Sequence, residues 1–132
     1  MFVLVSAIVD RLSPVLGSGW KVADGTQHVD RTALPRADVR MQGVTLERVS
    51  GPSVLLQARF VVTLAISGAS TAFASLDSVV SDVIASLHNW RPQGYTARLQ
   101  MQGIAEVDYM DQGLFGYEVA FTIALTRLGV ND

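Results

Sequence analysis

From Val54 to Ile66 the residues Val54, Leu56, Ala58, Phe60, Val62, Leu64 and Ile66 alternate with Leu55, Gln57, Arg59, Val61, Thr63 and Ala65, a run of thirteen. An apolar period of two places every second side chain on one face only if the backbone is extended, so this run is a strand. It is about twice the common five or six residues. A strand of that length either crosses a large sheet or projects beyond the body of its domain as one arm of a hairpin. Gly51-Pro52 makes the turn before it, and Asp38 to Ser50 reads as the strand on the other side of that turn. There the apolar side changes halfway, since Val39 and Met41 share one parity and Val44 and Leu46 the other. A β-bulge at Gln42 and Gly43 restores a single inner face.

The rest of the chain supplies partners for this hairpin. Phe2 to Leu16 carries Val5, Ile8, Leu12 and Val15 at helical steps, with Pro14 expected to end or distort the helix near Ser13 before Gly17 and Gly19 close it. Gly17 to Ala37 has no periodicity and reads as a loop of unusual length, with room for a short strand at Trp20 to Val22. Loops of this size tend to be functional or ordered by a partner. After the small-residue break Gly68 to Thr71, the residues Phe73, Leu76, Val80, Val83, Ile84 and Leu87 trace a second helix up to Trp90. Its other side, Ser75, Asp77, Ser78, Ser81, Asp82 and Ser86, is small and mildly acidic.

Arg98 to Tyr109 follows as a half-buried strand, with Leu99, Met101, Ala105, Val107 and Tyr109 expected inward and Arg98, Gln100, Gln102, Glu106 and Asp108 outward. The Asp111-Gln112-Gly113 turn leads to a last strand whose inner set is Tyr117, Val119, Phe121, Ile123 and Leu125. The order helix, hairpin, helix, hairpin predicts an α+β fold: an antiparallel or mixed sheet of two long hairpins with two main helices on one face. No domain linker, low-complexity tract or internal repeat stands out, so 1–132 is read as one domain.

Chemistry is harder to find. With 132 residues, 49% of them hydrophobic, the chain has the means to bury a core and is not of disordered composition. It has no cysteine, which excludes disulfides, thiolate metal sites and a cysteine nucleophile. A net charge of -2 offers no global field for nucleic acid or anionic membrane. Met1 to Val9 is apolar but lacks a basic start and soon meets Asp10 and Arg11, so no export signal is expected. No apolar run is long enough to span a membrane. His28 lies between Asp24 and Asp30 in the long loop, and His88 sits beside Trp90 and Arg91; neither has a helical partner at ligand or base spacing. Glu106, Asp108 and Glu118 share a solvated sheet face and nothing apolar encloses them. Neither a phosphate-binding glycine run nor a GxSxG elbow occurs. No catalytic, metal or cofactor site is expected.

What stands out is the outward sheet face, where Gln57, Arg59, Thr63, Arg98, Gln100, Gln102, Glu106, Glu118, Thr122 and Thr126 are interrupted by Leu55, Val61 and Ile104. Mixed polar groups interleaved with aliphatics match the composition of subunit contacts, and two hairpins leave edges to be managed. Arg31, Arg36 and Arg40 form a local basic cluster, but Asp24, Asp30 and Asp38 are interleaved with it, so nucleic-acid binding is not expected. Leu114 and Phe115 place bulk next to the last turn. The candidate interface set is therefore Arg31, Arg36, Arg40, Arg59, Arg98, Gln100, Gln102, Leu114 and Phe115.

The order of elements also resembles a family. An amphipathic helix (Phe2 to Leu16), an irregular segment reaching Leu34-Pro35 before Ala37-Asp38-Val39, a long strand (Val54 to Ser67), an amphipathic helix (Thr71 to Trp90) and a polar-then-apolar hairpin from Gly94-Tyr95-Thr96-Ala97-Arg98 to Gly116-Tyr117-Glu118-Val119-Ala120-Phe121 are similar to the small tail terminator proteins of long-tailed phages and phage-derived tail particles. The resemblance implies an α/β subunit that forms a ring with copies of itself, commonly a hexamer. That ring caps the tail tube protein, ends its polymerisation and presents a surface to the head-tail connector protein. It places the chain in the virion tail, assembled in the host cytoplasm, and carries over no enzymatic residue or cofactor. A hotdog-type acyl-CoA thioesterase or small-ligand-binding domain is the alternative, with acyl ligands held between subunits; it wraps its sheet around one principal helix, whereas here a second helix divides the hairpins. A ferredoxin-like ligand-binding domain requires a βαββαβ order, and so an extra early strand at Trp20 to Val22.

Overall fold

The long alternating run lies at the centre of a sheet. The computed structural model describes residues 2–17, 19–24, 35–67, 73–109 and 114–128. Its elements in chain order are α1 (Phe2–Leu16), β1 (Lys21–Asp24), β2 (Arg36–Ser50), β3 (Ser53–Ser67), α2 (Phe73–Leu87), β4 (Gln100–Tyr109) and β5 (Leu114–Leu128). The strands form one mixed sheet in the order β1-β2-β3-β5-β4, with β1 parallel to β2 and the other pairs antiparallel. The fold is α+β, with both expected hairpins present as β2-β3 and β4-β5. β3 serves both purposes its length allows. It pairs with β5 from Ser53↔Leu128 to Ser67↔Leu114, and with β2 it forms an arm on which Thr45 to Ser50 are all exposed.

Both helices pack on one sheet face and on each other. α1 contributes Leu4, Val5, Ile8 and Leu12, and α2 contributes Leu76, Val80, Val83 and Leu87. Beneath them lie Ala58, Phe60, Val62, Leu64 and Ile66 of β3 with Val119, Phe121, Ile123 and Leu125 of β5. Each large apolar side chain fully buried here is worth about 1.5–3 kcal/mol. Two helices side by side over the sheet are not the single principal helix of a hotdog fold. Nor is the order βαββαβ, although the early strand exists: it is Lys21–Asp24, one residue later than the sequence suggests at its start, and it shortens the expected loop.

Pro14 does not end α1, which continues to Leu16. Proline lacks the N–H that would bond four residues back. Around that gap the Ser13 hydroxyl donates to the Val9 carbonyl at 2.9 Å and the Gly17 N–H to the Ser13 carbonyl at 3.2 Å. Gly17 then closes the helix at φ 82°, a left-handed cap that glycine adopts without strain.

The bulge expected in β2 is present: Met41 pairs with Phe60 and Gly43 with Arg59, leaving Gln42 as the extra residue. A further shift in β2, between Leu46 and Arg48, leaves Glu47 extra and is not expected, nor is the bulge in β4. Met101 pairs with Phe121 and Gly103 with Ala120, leaving Gln102 extra. It overturns the face assignment beyond it, because Ile104 now pairs with the buried Val119 and Ala105 with Glu118. Glu106 follows the register of Tyr117, so Glu106 and Glu118 lie on opposite faces and no paired-acid arrangement forms between them. The bulges at Gln42 and Gln102 both carry the triplet Met-Gln-Gly, at 41–43 and 101–103, a short internal repeat that the sequence reading passes over. The row Met41↔Phe60↔Phe121↔Met101 reads the same from either end. Thus α1-β2-β3 and α2-β4-β5 are one arrangement used twice, about an approximate twofold axis between Phe60 and Phe121.

Candidate functional site

On the sheet face turned away from the helices no element of the described residues covers the strands, yet Val61 and Ala120 at its centre are only 2% and 6% exposed. They sit in a shallow depression lined by the small or apolar Val61, Gly103, Ala105 and Ala120 and by the longer polar chains of Gln42, Arg59 and Glu118, with the backbone of Ile104 at its rim. Bulges re-aim the extra residue, and here both extra glutamines turn toward the middle of this face. Gln42 accepts a hydrogen bond from Arg59 Nε through its Oε1, and Gln102 donates from Nε2 to Thr122 Oγ1 at 2.8 Å. Arg59 and Thr122 are themselves cross-strand partners. The Gln42 and Gln102 bulges thus converge on a single pair.

Charge on this face is predominantly positive. By register Lys21, Arg36, Arg40, Arg48 and Arg59 belong to it, against Asp38 and Glu118. Arg40 Nη2 lies 3.6 Å from Glu118 Oε1, and Arg36 Nε 3.1 Å from Asp38 Oδ2. Burial raises the Asp38 carboxyl above the usual carboxylate range, with the Arg36 charge pulling it partly back. Arg59 differs from the other two arginines. Its Nε is held by Gln42, and its terminal nitrogens have no partner among the described residues.

Arg40, Arg59, Gln100 and Gln102 of the sequence-derived set therefore come together on the open face, with Gln100 opposite Thr122. Arg36 is on the same face, at its β1 end. Arg98 is not part of it. It precedes β4 and donates from Nη1 to the Asn89 carbonyl at 2.9 Å, clamping the turn after α2, where Asn89 adopts φ 65°. His88 takes part in the same junction, its Nδ1 accepting the Met101 N–H at 3.0 Å, which assigns its proton to Nε2. Arg11 completes it, donating to the Ser86 carbonyl at 2.7 Å and stacking 4.7 Å from the centre of the Trp90 ring. Leu114 and Phe115 begin β5, opposite Tyr109 and Asp108. Arg31, His28 and the Asp111 to Gly113 tip lie outside the described residues.

Sequence reasoning missed Gln42 as a member of the site, assigning it only to the bulge. The repeated Met-Gln-Gly triplet was the available signal. Among the described residues no group of three or more His, Asp or Glu is placed to hold a metal ion, and no helix is long and apolar enough to cross a membrane.

No protein-family model matches the chain, and no curated protein matches it. Its fold has a solved counterpart. A chain of the virion of a native gene transfer agent (GTA) particle aligns with a TM-score of 0.68 at 13% sequence identity, over 94% of this chain and 95% of that one. At this identity the likeness is one of fold, and it extends over nearly the whole of both chains.

Proposed function

We propose that this protein is a structural component of a phage-like virion, a tail terminator whose copies form a ring, six to a turn in the manner of the family it resembles, that caps the tail tube, ends its polymerisation and joins the head-side connector. The observation that supports this most is the end-to-end fold match to a chain of a gene transfer agent virion. The site fits the role in its chemistry: a broad polar face over a small apolar floor, suited to contact with another protein surface. The exposed β2-β3 arm offers a second contact, since Leu46 and Val49 on it are 60% and 59% exposed. A ring is built from heterologous contacts, one patch meeting a different patch on the next copy. In this reading the protein assembles in the host cytoplasm, resides in the virion tail and has as partners itself, the tail tube protein and the connector.

Sedimentation and electron microscopy of the purified chain, with the length of tail tubes polymerised in its presence, test the proposal. Rings and shortened, capped tubes are expected. A strict monomer that leaves tube length unchanged overturns it.

A further inference from the structure

We infer that in this ring the open sheet face of one copy receives the exposed face of α2 of the next, with Arg59 meeting the carboxylates of Asp77 and Asp82. The inference rests on the ring reading and names the contact that builds it. Arg59 is a guanidinium already oriented by Gln42, with its terminal nitrogens unpaired among the described residues, at the edge of the depression over Val61 and Ala120. A fork held in this way is suited to a carboxylate, which it can engage through two parallel hydrogen bonds.

The matching surface is on the same chain. α2 has no basic residue in its fifteen, and its Asp77 and Asp82 are exposed and without an ion-pair partner among the described residues. Ser78, Ser81 and Ala85 are exposed beside them, and at these spacings all five share one side of the helix. Their small side chains let this side of the helix approach a sheet closely. The other exposed acids among the described residues are less suited: Asp10 adjoins Arg11, Glu47 adjoins Arg48, and Glu106 stands singly on the edge strand β4. Because the helices and the open face lie on opposite sides of the subunit, the contact cannot be reciprocal between two copies. It runs head to tail, the kind that closes into a ring when its rotation allows.

Charge reversal in the full-length protein tests the contact. Arg59→Glu alone and Asp77→Arg with Asp82→Arg are each expected to raise the concentration needed for assembly more than about tenfold, read by sedimentation velocity. All three substitutions in one chain restore the pairing with its sign exchanged, and rings are expected to return. Circular dichroism shows that each variant keeps its fold, and Arg59→Gln gives a milder version of the same loss should a reversal disturb folding. Rings that persist in both reversed variants overturn the contact and leave the ring reading standing. So does assembly that is lost on reversal and not regained in the triple variant with a native spectrum. A wild-type chain that stays monomeric overturns the ring itself, and the contact with it.

Discussion

Phe60 and Phe121 face each other across β3 and β5 on the helix-covered side of the sheet, 0% and 1% exposed; one residue along, Arg59 and Thr122 face each other on the open side. The strands and the register are the same, and only the parity differs. On the covered side the pair is specified by volume, because two helices close over it and any void there goes unfilled. On the open side it is specified by hydrogen bonds with two bulge glutamines, Gln42 accepting from Arg59 and Gln102 donating to Thr122, with a charge left available at the surface. Stability and recognition are thus assigned to alternate residues of the same two strands.

The strongest test of this division is Phe60→Ala, expected to destabilise the fold by about 3–5 kcal/mol in urea unfolding, the range for truncating a fully buried aromatic. Gly116→Ala shows that backbone approach matters as well as side-chain volume. A Cβ at that position would meet the Leu64 carbonyl oxygen of the neighbouring strand, so a loss of at least about 1–3 kcal/mol is expected by thermal denaturation. Gln102→Ala removes the bond to the buried Thr122 hydroxyl and is expected to lose about 1 kcal/mol, measured in the same way.

Asp38→Asn sharpens the comparison through pH. Burial raises this carboxyl, so the native state holds its proton more tightly than the unfolded chain does, and the resulting stability is present at low pH and lost as pH rises through the native pKa. The wild type is therefore expected to gain on the variant as pH falls from neutrality into the carboxylate range, a smaller effect than that of Gln102→Ala, read from urea midpoints. Smallest of all is Arg59→Gln. The side chain is exposed, so unfolding of the dissociated subunit is expected to change by no more than about 0.5 kcal/mol, while assembly is weakened. A large stability loss there would erase the distinction between the faces.

The legible part of the fold was the part governed by a single period. The β3 alternation, the α2 stripe and the Met41 to Val44 parity change each pointed to one local structure, and the sheet contains all three. β4 was misread for the converse reason. Its Gln102 bulge leaves Met101 inward but shifts Ile104 and Glu106, and the apolar Ile104 out of parity was a single signal outweighed by Ala105, Val107 and Tyr109. Arg98 was placed with the polar face because it continues the strand's parity, although the chain turns before Gln100 and directs it to the Asn89 carbonyl. Of the open-face cluster, Arg40, Arg59, Gln100 and Gln102 were named from polarity alone. Their convergence depends on register between strands far apart in sequence.

The sequence by itself determined the elements, their order and the inner face of the central strands, because periodicity is a local property enforced by water at each residue. Only the tertiary structure decided that the two hairpins meet through β3 and β5, that Phe60 and Phe121 sit on an approximate axis, and that two bulge glutamines address one Arg59–Thr122 pair. These depend on strand order and register, which are set by how all the faces pack at once and are not encoded in any one stretch of the chain.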